Sequence, residues 1–294
     1  MKKGKPIVLE PTLLKNMERK KPVIDTVHFT DKGPLPSFID LNSGEFCNRK
    51  CPFCPRSDPS TYPNQKLFLN KKLAIAIESQ LREINFQGIL NICGTGEPLA
   101  HPNIFEVTEI LSKSVHVEVV TNGDYLNKKN IGLLYAAGLK QLVISAYDGP
   151  HQIPKFDKLM KDCLVSKDLY NIRKRWFSEE EGYGIKKTNR GGLLDEEFEK
   201  EDVNNHCAYP HYSLTIDFNG DVLLCVQDWT RKVKFGNVYA ETIEEIWFSK
   251  RMNEYRKNLI KGRDKAGTPC TNCNADGMVV GRNHYEAWRN IYAS

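Results

Sequence analysis

The chain has 294 residues, 42 Lys plus Arg against 37 Asp plus Glu, a net charge of +5, and 40% hydrophobic and 27% charged residues. That composition buries a core without staples and excludes a disordered or low-complexity chain. No apolar run approaches the ~20 residues of a membrane span, and the start, MKKGKPIVLEP, lacks a signal-peptide stretch, so the sequence predicts a cytoplasmic protein with no membrane partner. Its basic residues, including Arg19 and Lys20, read as solvated surface charge and predict no nucleic-acid partner.

In chain order, Ser37–Leu41 reads as a strand that leads into a loop holding Cys47, Cys51 and Cys54. Asn70 caps a helix over Lys71–Ile84, where Leu73, Ile77, Leu81 and Ile84 recur at helical spacing. Gly88–Ile92 is a strand followed by Gly94-Thr95-Gly96-Glu97-Pro98, and Ile104–Leu111 is a helix. Val115–Val120 is a strand followed by Thr121-Asn122-Gly123, and Lys128–Ala137 is a helix closed by Gly138. Gln141–Ala146 is a strand that ends in Ser145 and Ala146, ahead of a Tyr147-Asp148-Gly149 loop. Further strands are expected near Tyr170–Arg175 and Gly184–Thr188. Beyond them, Ser213–Phe218 and Val222–Val226 form a hairpin about Asn219-Gly220. Thr242 and Glu245 form a capping box, opening one helix that carries Ile243, Ile246, Trp247, Tyr255 and Leu259 and stops near Gly262.

Strands alternating with helices predict an α/β fold with parallel strands and helical crossovers. The strand-end loops then converge on one face, at the C-terminal mouth of a barrel or curved sheet. The chain divides into an N-terminal extension (1–36), the α/β part (37–200) and a small C-terminal α+β part (201–294).

The cysteines carry the chemical signal. In a reducing compartment grouped cysteines are metal ligands or catalysts more often than disulfides. Cys47, Cys51 and Cys54 lie within eight residues, and no fourth Cys or His is near them in sequence. A structural zinc takes four protein ligands, whereas three cysteines around a four-iron cubane leave one iron open to an outside ligand. Cys207, Cys225, Cys270 and Cys273 make a second group of two pairs, for which zinc and a 4Fe–4S cluster both suit the spacing. Cys93 and Cys163 are left over.

The C-x3-C-x2-C run, with Phe53 just before the last Cys, resembles the radical S-adenosylmethionine (radical SAM) superfamily. The Gly-Thr-Gly-Glu-Pro, Thr-Asn-Gly and Ser-Ala-Tyr-Asp-Gly stretches resemble that family's later loops, in the same order. The resemblance implies a partial (β/α)6 barrel in which a 4Fe–4S cluster on Cys47, Cys51 and Cys54 binds SAM and yields a 5'-deoxyadenosyl radical. It implies SAM contacts from Gly94, Thr95, Gly96, Glu97, Thr121, Asn122 and Ser145. The second group resembles the twitch/SPASM pattern, which implies an auxiliary 4Fe–4S cluster on Cys207, Cys225, Cys270 and Cys273.

Within that subgroup the chain is most similar to the 2-deoxy-scyllo-inosamine dehydrogenase family, which oxidises a secondary alcohol on an aminocyclitol. That likeness implies a small polar substrate (aminocyclitol, sugar or nucleotide sugar), dehydrogenation ahead of epimerisation, and an electron donor such as flavodoxin or ferredoxin. It points to Arg190 as a catalytic and substrate-contacting residue. Tyr147 and Asp148, at the mouth, are further substrate contacts, and Cys163 and Cys93 are the candidate hydrogen-atom donors for epimerisation, Cys93 more often a packing residue in the barrel. A peptide maturase, a molybdopterin-type cyclase and a non-catalytic zinc protein are the other readings.

Overall fold

The computed structural model describes residues 11–176, 188–194 and 205–293. It opens with helix α1 (Pro11–Asp25) and a short hairpin of β1 (Phe29–Thr30) and β2 (Gly33–Pro34). Four β/α steps and a fifth strand follow: β3 (Phe38–Asn42), α2 (Lys71–Glu83), β4 (Ile89–Cys93), α3 (Ile104–Leu111), β5 (His116–Thr121), α4 (Lys128–Ala136), β6 (Gln141–Ala146), α5 (Gln152–Asp162) and β7 (Tyr170–Lys174). After α6 (Tyr209–Tyr212), β8 (Ser213–Ile216), β9 (Asp221–Leu223) and β10 (Lys234–Asn237) complete one eight-stranded sheet in the order β10-β9-β8-β3-β4-β5-β6-β7. The strands from β8 to β7 are parallel, and β9 and β10 add antiparallel to the β8 edge. The C-terminal part adds α7 (Ile243–Trp247), α8 (Lys250–Lys261), α9 (Arg263–Ala266) and α10 (Arg282–Ala293).

The strand residues explain why the sheet curves around a polar interior. Ile39, Leu41, Leu90, Ile92, Val117, Val119, Leu142 and Ile144 face outward and pack with Leu73, Ile77, Val107 and Ile131 of the helices in one core. Their alternates, Asp40, Asn42, Asn91, Cys93, Arg173 and Thr215, face a cavity on the other side. Asn70 caps α2 as expected, accepting from the Leu73 N–H at 2.9 Å.

Two features differ from expectation, and two expectations fall outside the described residues. The helix after Thr242 is two, because Ser249 caps a new helix at Met252 right after Phe248 ends α7. β10 was not anticipated. The strand expected at Gly184–Thr188 lies outside the described residues but for Thr188, which is in no strand. The boundary near 200 also lies outside them, and β8, from beyond it, pairs directly with β3.

Two of the N-terminal cations, Arg19 and Lys20, are part-buried and paired. Arg19 forks onto both carboxylate oxygens of Glu118, and Lys20 lies 3.2 Å from one of them. Glu118 is fully buried on β5. Ile24 packs with Phe38 and Ile89, and the Ser37 hydroxyl donates to the Ile24 carbonyl at 3.0 Å. Helix α1 therefore closes the N-terminal end of the barrel. Burial pushes the Glu118 carboxyl up, but Lys20, His116 and Arg19 hold it well below the usual carboxylate range.

Glu118→Ala should destabilise the protein by about 3 kcal/mol in urea unfolding, because two part-buried cations lose their buried counter-charge. A depressed carboxyl stabilises the fold above its unfolded pKa and loses that contribution as pH falls. The gap between wild type and variant should therefore narrow below the ordinary carboxylate range.

Candidate active site

The first cysteine loop is tied down by its own polar residues. Arg49 bridges Asp124, after β5, and Asp148, after β6, with its Nε 2.6 Å from Asp124 Oδ2 and its Nη2 2.8 Å from Asp148 Oδ2. Asn48 donates to Asp124 at 2.6 Å and accepts from Asn122 Nδ2 at 2.9 Å. The loop is thereby fastened to two strand ends beside its own.

The Gly-Thr-Gly-Glu-Pro turn needs its glycines for space. A Cβ on Gly94, at φ 111°, would come within 2.4 Å of the Asn42 side chain, and one on Gly96 within 2.4 Å of the Gly44 carbonyl. Glu97 is buried and accepts from the Leu99 N–H at 3.0 Å, the Thr121 hydroxyl at 2.5 Å and the Asn122 N–H at 2.8 Å. Its carboxylate thus joins two strand-end loops. Burial pushes it up to about 7, against the pull of those donors.

Two adjoining cavities open here. The outer, of about 150 Å³, is lined by Cys47, Cys51, Cys54, Gly94, Thr95, Gly96, Glu97, Thr121, Asn122, Ser145, Tyr147 and Arg190. The inner, of about 270 Å³, lies inside the barrel and reaches Asp40, Arg173, Cys225 and Asp228. Cys93, Gly94, Thr95, Val120, Arg190 and Trp229 line both. The Arg190 guanidinium stands 5.5 Å from the centre of the Trp229 ring. Asp40 is buried, with Asn91 Nδ2 at 3.0 Å and Cys93 Sγ at 3.4 Å, and burial raises its pKa.

A charge network locks the C-terminal part against this mouth. Arg231, in a left-handed conformation at φ 53°, donates to Asp217, Glu45 and Tyr62. Arg56 is buried and donates to Glu45 at 2.7 Å and to the Thr95 carbonyl at 2.6 Å. Thr95 in turn donates to Glu45 at 3.0 Å. Burial pushes Glu45 up, yet Arg231 and Arg56 bring it below its ordinary value.

Both thiol groups suit an iron–sulfur centre. Burial, then the charges of Cys54 and Cys47, pushes Cys51 up to about 12. Burial also pushes Cys207 to about 11 and Cys270 to about 12, and Cys225 feels burial first and then the other three thiols of its group. Such thiols become thiolates only against the positive charge of a metal centre.

Two expected site residues fall elsewhere. Asp148 is held by Arg49 and Gln152 and lines neither cavity, because the cysteine loop needs an anchor there. Cys163 caps the end of α5, packs against the core and also lines neither. Conversely, Asp40, Asn91, Arg173 and Thr215 line the inner cavity without having been singled out as site residues. Their sequence signal was a polar residue at alternate positions of otherwise apolar strands, as in Phe38-Ile39-Asp40-Leu41-Asn42.

Residues 41–201, more than half of the chain, match the radical SAM superfamily, and residues 207–274 match an iron–sulfur cluster-binding domain, SPASM. The S-adenosyl-L-methionine-dependent 2-deoxy-scyllo-inosamine dehydrogenase of Niallia circulans is 27% identical over 244 residues, spanning 82% of this chain and 93% of that enzyme. A GTP 3',8-cyclase of Chlorobaculum tepidum is 28% identical over 135 residues, covering 44% and 38%. The crystal structure of BtrN in complex with AdoMet and 2-DOIA superposes with a TM-score of 0.69 at 25% identity, covering 85% of this chain and 96% of that one. These matches imply SAM and two iron–sulfur clusters as cofactors. No helix of the described residues is long and apolar enough to cross a membrane.

Arg231→Gln should cost about 3 kcal/mol in denaturant unfolding, since Glu45 and Asp217 lose a buried counter-charge. Glu45 is held low in the folded state, so the deficit should be full above the ordinary carboxylate range and shrink as pH falls.

Proposed function

The chain belongs to the radical SAM superfamily, and on that premise we propose an oxidoreductase that dehydrogenates a small polar molecule, an aminocyclitol, sugar or nucleotide sugar, in the inner cavity. The observation that carries this reading is the shared wall: the outer cavity, with the three cysteines, opens onto an inner one that ends at Cys225 of the second group. When loaded, the first centre with SAM supplies a 5'-deoxyadenosyl radical that abstracts hydrogen, and the second supplies an electron sink. The first would be held by Cys47, Cys51 and Cys54 and the second by Cys207, Cys225, Cys270 and Cys273, with an electron donor of the flavodoxin or ferredoxin kind as partner.

The remaining work falls to the chain. Gly94, Thr95, Gly96, Thr121, Asn122 and Ser145 form the wall against which SAM lies, with Glu97 toward its ammonium. Arg190, at the junction of the cavities, holds the hydroxyl that is oxidised, and Asp40 accepts its proton; burial makes that carboxylate a stronger base than an exposed one. Tyr147 closes the outer cavity, its ring 5.6 Å from that of Phe53. Helix α1 closes the barrel below, which suits a small molecule better than a peptide. The division near residue 200 separates the SAM-binding part from the auxiliary part.

A second reading, epimerisation, has one observation in its favour. Cys93, not Cys163, presents a thiol to the inner cavity.

Anaerobic reconstitution should give about eight irons, four per cubane, and 5'-deoxyadenosine on reduction with SAM. Cys51→Ala should lower the iron content by about half and abolish 5'-deoxyadenosine. With substrate, loss of a hydrogen pair marks the dehydrogenase, and solvent deuterium gained without oxidation marks the epimerase. A colourless zinc protein would end the reading.

Because Glu97 titrates near 7 in the buried site, SAM affinity should rise as pH climbs from about 6 to about 8 and the carboxylate forms. Glu97→Gln should bind SAM about tenfold more weakly, with no such pH dependence, measured by equilibrium dialysis.

A further inference from the structure

We propose that Tyr255 tunes the second centre: its hydroxyl donates to Cys270 Sγ and raises the reduction potential of the cluster that this cysteine group holds. This rests on the reading of that cluster as the electron sink. Helix α8 sets the contact. Arg256 is fully buried, its guanidinium 3.9 Å from the centre of the Trp247 ring and 4.2 Å from that of Trp288. Its Nε donates to the Pro210 carbonyl and its Nη1 to the Trp247 carbonyl, each at 2.8 Å. These contacts fix the rotation of α8 and turn the neighbouring Tyr255 toward the cysteines. The Tyr255 ring meets Phe235 edge to face at 5.7 Å, and its hydroxyl lies 3.6 Å from Cys270 Sγ.

The other three sulfurs of the group take their hydrogen bonds from the backbone. Cys207 accepts from the Tyr209 N–H, Cys225 from the Gln227 N–H, and Cys273 from the Ala275 N–H at 3.5 Å. In each case the donor sits two residues after the cysteine. Cys270 departs from this pattern. The turn that it opens spends the N–H groups of Thr271, Asn272 and Cys273 on the carbonyls of Gly267, Pro269 and Cys270. Its donor is a side chain fifteen positions earlier. Three of the four hydrogen bonds thus follow from the path of the chain, and the fourth depends on which residue stands at 255.

The direction of the effect follows from charge. Burial, then the Cys270 charge, pushes the Tyr255 hydroxyl well above its ordinary value, so it keeps its proton and is the donor of the pair. After burial, Tyr255 is the largest influence on Cys270, and it favours the thiolate. A hydrogen bond to a ligating sulfur stabilises the more negative, reduced cluster over the oxidised one. The sink therefore takes up an electron more readily with the hydroxyl in place.

The test is an anaerobic redox titration of the reconstituted holoenzyme, followed by electron paramagnetic resonance with and without SAM. The signal that SAM alters reports the first cluster, and the signal it leaves unchanged reports the auxiliary one. Tyr255→Phe keeps the ring and removes the donor. It should make reduction of the auxiliary cluster about tenfold less favourable, a fall of about 59 mV for one electron. The midpoint of the first cluster should stay in place, and the iron content should remain at about eight. Incorporating 3-fluorotyrosine at position 255, a more acidic donor of nearly the same size, should move the auxiliary midpoint upward.

An auxiliary reduction equilibrium changed by less than about twofold in both proteins would overturn the proposal. Equal shifts of both midpoints would do so too, since they would mark a general structural effect. If the Phe variant loses iron, the fluorotyrosine protein decides, with an upward shift supporting the proposal and an unmoved midpoint overturning it. About four irons in the wild type, with no signal indifferent to SAM, would overturn the sink reading and this proposal together. Two clusters with an unmoved midpoint would overturn the role of Tyr255 alone.

Discussion

The structure depends on one constraint: a barrel with a polar inner face must supply a partner for every charge it encloses. An unpaired charge in such a site is expensive, because little water reaches it to offset the lost hydration. The chain meets this demand in two places with buried pairs. At the closed end Arg19 and Lys20 neutralise Glu118. On the β8 side Arg231 and Arg56 share Glu45, and Arg231 also takes Asp217. These pairs fix helix α1 and the C-terminal part onto the same sheet. Arg173 stands apart from them, facing the inner cavity.

The same logic governs the cysteines in reverse. In the two groups, burial opposes the ionisation of Cys47, Cys51, Cys54, Cys207, Cys225 and Cys270. Their surroundings cannot supply the positive charge that thiolates require, so each group is built to be completed by a metal centre. The chain contributes rigidity: Arg49 and Asn48 pin the first loop to the ends of neighbouring strands, and Arg263 pins the second group through the carbonyls of Cys273 and Ala275. Glu97 extends this by bonding its own loop to the one after β5. Supporting groups of this kind orient a centre and exclude alternatives.

Likeness to the Niallia circulans dehydrogenase is spread over most of both chains, so the cofactor machinery is common ground. Substrate choice is a different matter. Under the proposed function it falls to the few inward residues of the inner cavity, which alternate with aliphatic residues of the core. A family with one radical chemistry changes its substrate through such positions, since the outward face must keep its volume while the inward face answers only to the ligand.

Much of this was legible in the chain itself. The parallel β/α order, the Asn70 cap, the Thr242–Glu245 capping box and both cysteine groups follow from local spacing, because periodicity, caps and chelating distances are properties of short segments. The outer cavity gathers the expected residues because parallel strands put their loops on one face. Three things required the folded molecule. Asp148 and Cys163 looked available in sequence, yet one is consumed by Arg49 and the other sits at a helix end on the core side. Arg19 and Lys20 read as surface charge because their partner Glu118 is 99 and 98 positions away. Sequence thus determined which chemistry the chain is equipped for, since that resides in residue types at fixed short spacing. Tertiary structure decided which charges are cancelled and which remain open to a ligand, since burial and long-range pairing exist only once distant strands share one interior.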